Sequence, residues 1–160
     1  MQDSVTVHMD ASPRQVWELV SDVTKIGRYS PETFEAEWLD GATGPAVGAK
    51  FRGHVKRNGK GPVYWTTCTV TECVPERVFA FGVGNADKPL NVWRYQLEPA
   101  GGGTDATESF ALAHTAALRL YWAVLGWARG PTNRNGMRTT LERIKAEVEQ
   151  PGPAEQPGPA

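Results

Sequence analysis

Three side chains in the second half of this chain have the chemistry for proton transfer: Tyr95, Glu108 and His114. Glu108 alternates with Ala106, Phe110 and Leu112, so a strand here turns its carboxyl to the same side as those apolar groups. A carboxylate in such company needs a partner or takes a raised pKa, and can then remove a proton from the carbon beside a ketone. Tyr95, in register with Trp93 and Leu97, can donate a hydrogen bond to the enolate oxygen that forms. His114 follows the last strand and adds an acid–base group near neutral pH. Each has a structural alternative. Glu108 can pair with Arg94 or Arg134 or sit at an exposed strand end, Tyr95 can satisfy its hydroxyl at a polar rim, and His114 can hold an element boundary. Metal and redox chemistry are not expected, and no cofactor is implied. Cys68 and Cys73 have no further ligands clustered near them. Five positions apart on one strand, they face opposite sides with alpha carbons over ~15 Å apart, too far for a disulfide.

Around these groups the sequence supplies an apolar wall. The greasiest register of each strand-like segment turns Phe51, Gly53, Thr66, Cys68, Val70, Phe79, Phe81, Trp93, Tyr95 and Phe110 to one face. Met137, Leu141, Ile144 and Val148 form a facing helical stripe, with Asn133 and Arg134 one turn ahead of it. Any one of these aromatics is ordinary core. Together they exceed what a single stripe covers, so a ligand-sized space is expected, lined by Phe51, Thr66, Cys68, Val70, Phe79, Phe81, Trp93, Tyr95, Phe110, Asn133, Arg134, Met137 and Leu141. A packed interior well below ~300 Å³ argues against a small-molecule site.

The elements that must position these residues follow from periodicity. Val5, Val7 and Met9 alternate in a first strand. Ser12-Pro13 starts a short helix with Val16, Trp17, Leu19 and Val20 on its apolar side. Asp22 or Thr24 caps a second piece that ends at Ser30-Pro31. From Phe34 the period becomes two, with Phe34, Ala36 and Trp38 on one face, and Asn58-Gly59 marks a hairpin turn. Arg52 and His54 take the opposite parity and face solvent. Strict alternation sends Trp65 outward too, although a bulge near Gly61-Pro62 would reverse it. The greasy stretch Ala116–Ala128, with Trp122 and Trp127, suits a lid or a contact surface for a homodimer, and Gly130-Pro131 is expected to break or kink it away from the closing helix. Residues 150–160 carry the end of a tandem repeat of Glu-Gln-Pro-Gly-Pro-Ala and read as a disordered tail beyond one domain at 3–149.

The 160 residues hold 17 basic and 18 acidic groups with no basic block beyond Lys56-Arg57, so nucleic-acid binding is not expected. The longest apolar run falls short of the ~20 residues that span a bilayer, which excludes membrane insertion. No apolar secretory region opens the chain, and a cytoplasmic protein is the expectation.

The order strand, two short helices, strands and one long helix resembles the helix-grip fold of the SRPBCC, or START-like, superfamily. Its members include lipid-transfer domains, pollen allergens, aromatic polyketide cyclases and chaperone-activator-like proteins. Ala11-Ser-Pro-Arg-Gln-Val-Trp17, Tyr29-Ser-Pro-Glu32, Val47-Gly-Ala-Lys-Phe-Arg-Gly53, Trp93-Arg-Tyr-Gln-Leu-Glu-Pro99 and Gly136-Met137 to Leu141 are similar to the polyketide cyclase/dehydrase branch common in actinobacteria. The resemblance implies an α+β fold in which a curved antiparallel sheet of six to seven strands grips a long C-terminal helix. It leaves three roles open: carrier or sensor of a lipid, polyketide or aromatic metabolite; cofactor-independent cyclase or dehydratase; and protein-interaction module.

Overall fold

The computed structural model describes residues 2–57, 61–113 and 116–150, the side chains of 116–131 excepted. Seven strands, β1 (Gln2–Met9), β2 (Thr33–Trp38), β3 (Lys50–Lys56), β4 (Val63–Val74), β5 (Val78–Gly84), β6 (Pro89–Ala100) and β7 (Gly103–Leu112), form one curved antiparallel sheet. Their order is β1-β7-β6-β5-β4-β3-β2, so each strand after β2 pairs with its successor and β1 closes against β7. Two short helices, α1 (Pro13–Val20) and α2 (Ile26–Tyr29), follow β1, and α3 (Ala116–Val148) ends the described chain.

Local chemistry places these elements where periodicity predicts them. Ser12 caps α1 in a reciprocal capping box with Gln15, and Pro13 occupies its first turn. Asp22 caps a short 3-10 turn, Val23–Lys25, that leads into α2. Val16, Val20 and Val23 are buried, and Trp17 meets Phe79 edge-to-face at 6.3 Å. The filled core holds Met9, Val70, Phe79, Leu97, Leu141 and Ile144. Gly27 is dictated by close approach: a Cβ on it would stand 2.1 Å from the Phe34 carbonyl oxygen, so only glycine lets α2 lie on β2.

Three departures from simple periodicity have local causes. A register shift between Thr33 and Glu35 turns Phe34 out of the face of Ala36, leaving it 48% exposed against the His54 ring. A second shift, between Val70 and Glu72, adds one residue to β4. Cys73 therefore joins the core side with Cys68 instead of opposing it, and both remain free thiols. α3 passes through Gly130-Pro131 as one element, because a proline removes one hydrogen bond and need not end a helix held elsewhere along its length. Trp65 does face outward, 40% exposed, stacked on His54 at 4.3 Å with Arg52 at 4.4 Å from its ring. The Asn58-Gly59 turn, His114 and residues 151–160 lie outside the described residues.

The C-terminal half of α3 sits on β1, β7, α1 and α2. Arg134 pairs with Asp3 at 2.6 Å, Arg28 with Glu147 at 2.9 Å, and Lys145 donates to the His8 carbonyl at 2.8 Å. The helix thus lies over one side of the sheet, and the concave faces of β3 to β6 extend past it.

Gly27→Ala is expected to destabilise the protein by about 1–3 kcal/mol by forcing α2 off β2. Gly44→Ala, whose added carbon meets nothing within 4 Å, is the control expected to stay near wild type in denaturant melts.

Candidate functional site

Between sheet and α3 the uncovered concave face encloses a cavity of about 480 Å³, well inside the range of small-molecule sites. Phe51, Gly53 and Val55 of β3, Thr66 and Cys68 of β4, and Phe81 and Val83 of β5 line one side. Asn91, Trp93 and Tyr95 of β6 with Glu108, Phe110 and Leu112 of β7 line the other. Asn133, Gly136, Met137 and Thr140 of α3 close it, and residues 30–33 with Arg57 and Tyr64 complete the rim. By contrast, the space between α1, α2 and Phe79 is only about 10 Å³.

The walls are aromatic. Phe51 and Phe81 meet edge-on at 5.0 Å, and Trp93 lies 4.7 Å from Phe110. Cys68 adds an apolar surface rather than a nucleophile, since burial pushes its thiol up to about 12. Gly136 leaves room: an added carbon there touches only the Pro31 ring, at 3.8 Å.

The polar heart of the cavity is a pair set by strand register. Tyr95 and Glu108 are direct neighbours across β6 and β7. The Tyr95 hydroxyl donates to Glu108 Oε1 at 3.0 Å, and Glu108 Oε2, fully buried, has no partner. The arginines that could have neutralised it are engaged elsewhere: Arg94 with Glu72 at 3.0 Å on the outer face, Arg134 with Asp3. Glu108 is 4% exposed. Loss of water raises its carboxyl to about 8 even though the Tyr95 hydrogen bond pulls the other way. The same burial, with the neighbouring carboxyl, holds Tyr95 well above its ordinary value. At neutral pH Glu108 is therefore mostly a neutral acid.

Of the residues proposed from sequence, Phe51, Thr66, Cys68, Phe81, Trp93, Tyr95, Glu108, Phe110, Asn133 and Met137 share this cavity. Val70, Phe79 and Leu141 face the same way but lie in the filled core beyond it. Arg134 is 61% exposed and turned to Asp3, and His114 lies outside the described residues. Asn91 was not singled out, although it shares the parity of Trp93 and Tyr95. Its Oδ1 is buried without a partner. Among the described residues no three metal-ligating side chains cluster, and no helix is long and apolar enough to cross a membrane.

A family model described as polyketide cyclase / dehydrase and lipid transport matches residues 3–149. A polyketide-cyclase-like protein from Corynebacterium glutamicum is 26% identical over 93% of this chain and 89% of its own, with a TM-score of 0.56. A protein from Thermus thermophilus superposes with a TM-score of 0.69 at 15% identity, covering 92% of this chain and 97% of its own. One from Chromobacterium violaceum gives 0.64 at 18%, covering 94% and 99%. No curated protein matches the chain.

Glu108 carries its own stability signature. In the unfolded chain it titrates near 4.5 and in the folded protein near 8. Between these values the folded state keeps a proton the unfolded state has lost, so stability falls as pH rises, by up to about 1.4 kcal/mol per pH unit. Glu108→Gln lacks this slope. Urea melts at pH 5 and pH 8.5 are expected to show the variant gaining on wild type at the higher pH. An equal gap at both would contradict a neutral buried carboxyl.

Proposed function

The chain belongs to the polyketide cyclase / dehydrase and lipid transport family, and on that premise we propose that it binds a hydrophobic small molecule between sheet and α3, as a carrier or sensor. The observation that carries this reading is the 480 Å³ cavity, aromatic on both sides and continuous with a rim of polar residues. A side-chain-filled interior would have favoured a protein-interaction role.

A second reading, acid–base chemistry on a bound ketone, is favoured by the Glu108–Tyr95 pair. The ionised fraction of Glu108 would take a proton from the carbon beside the carbonyl, leaving the electron pair on an enolate oxygen. Tyr95 already donates its one proton to Glu108. An enolate would thus draw no hydrogen bond from it in this arrangement, which ranks binding first. Turnover of aromatic poly-ketones that is lost in Glu108→Gln would reverse that order.

Gly136→Leu separates stability from binding. A Cβ there meets only the Pro31 ring, in ordinary contact at 3.8 Å, and removing a helical glycine adds about 1 kcal/mol. Thermal melts are expected to rise, while saturable binding of the fluorescent probe N-phenyl-1-naphthylamine weakens at least about tenfold as the cavity fills. Unchanged probe affinity in a folded Gly136→Leu protein would contradict binding at this site.

A further inference from the structure

Acidic and basic side chains line this cavity at three points among the described residues: Glu108, Glu32 and Arg57. Glu108 stands at the inner end, 4% exposed, bonded to Tyr95, which also borders the filled core with Phe79 and Ile144. Glu32 and Arg57 stand at the mouth. Glu32 has an interaction partner of its own. Arg57 follows β3 on the parity of Val55, and its guanidinium carbon lies 5.8 Å from the centre of the ring of Tyr64, another lining residue. A guanidinium against a ring face keeps N–H groups free to donate. Among the described residues no carboxylate reaches ion-pairing distance of Arg57, whereas Arg28, Arg52, Arg94 and Arg134 are each paired with one. The aromatic chamber thus carries at its entrance an exposed cation that is stacked but not neutralised.

We propose that the cavity takes an amphipathic carboxylate, apolar end first, and that Arg57 receives the carboxylate at the mouth. The proposal rests on the reading of the cavity as a ligand site. Orientation follows from cost. At the inner end a carboxylate would lose its water beside a buried carboxyl, with no cation among the described lining residues to meet it. At the mouth it keeps part of its water and gains Arg57. Its two oxygens match the parallel N–H groups of a guanidinium, while the second negative charge of a phosphate would crowd Glu32. The strands set the length of the body. Tyr64 and Cys68, both lining residues, stand four positions apart on β4, about 13 Å, which accommodates two linked rings and a short head. Arg57 is thereby a specificity residue, favouring anions over neutral molecules of the same shape and rejecting cations.

The test compares three probes of one body on the full chain by titration calorimetry at neutral pH: 4-phenylbenzoate, 4-phenylbenzamide and 4-phenylbenzylamine. On wild type the carboxylate is expected to bind about fivefold tighter than the amide, with the amine weakest. High salt should shrink the advantage of the carboxylate and leave the amide unmoved. Arg57→Gln should bring the carboxylate down to the amide without weakening the amide. The wild-type series and its salt dependence stand even if the variant fails to fold. Equal affinities of carboxylate and amide on wild type, or an advantage that survives in folded Arg57→Gln, overturn the proposal while leaving the cavity a ligand site. So does binding of N-phenyl-1-naphthylamine with none of the three bound. Failure of that dye and of all three probes overturns both readings.

Discussion

A carboxyl group sealed beneath a helix, one oxygen bonded to a tyrosine and the other buried without a partner, is the constraint the rest of this structure meets. Ionised and unpaired, Glu108 would cost several kcal/mol in such a place, and among the described residues no cation pairs with it. The fold resolves the conflict by keeping the group protonated through loss of water, and Tyr95 holds its geometry. A neutral acid in an aromatic chamber is a hydrogen-bond donor that water cannot easily dilute. The binding reading draws on that neutral form, and the acid–base reading on the ionised fraction that the same raised pKa leaves.

The void follows from dimensions. Seven strands make a concave surface wider than one helix, and the ion pairs of α3 with β1 and α2 seat the helix over one side. The aromatic rings of β3, β5, β6 and β7 then face one another across a gap instead of packing on α3. Gly136 and the residues 30–33 keep the helix side of that gap open, while α1 and the stripe of Leu141 and Ile144 fill the other end completely. One sheet face thus carries a solid core and a chamber, with Tyr95 and Glu108 at the boundary between them.

Strand parity made much of this legible. Alternation alone turned Glu108 and Tyr95 inward, and the capping residues Ser12 and Asp22 marked the helix starts. What parity cannot report is depth. Val70, Phe79 and Leu141 obey the same alternation as Thr66, Phe81 and Met137, yet one set packs the core and the other lines the cavity. Which applies depends on where α3 crosses the sheet, a long-range property. Bulges were equally hidden: single-residue slips moved Phe34 outward and Cys73 inward with no glycine or proline in the slipped segments to announce them. Asn91 shares the parity of Trp93 and Tyr95 on β6, so the same alternation carried the signal that places it on this face. The aromatic stack of Trp65, His54 and Arg52 was half-read, its outward parity clear and its mutual packing not.

The protonation state of Glu108 inside the folded protein is the central claim, and infrared difference spectroscopy reads it directly. A carboxylic C=O band present at pH 6.5, absent from Glu108→Gln and fading with a midpoint near 8, is the predicted result. A spectrum in which wild type and Glu108→Gln show the same protonated-carboxyl signal at pH 6.5 would contradict it, because Glu108 would then be ionised and not sealed in an apolar chamber.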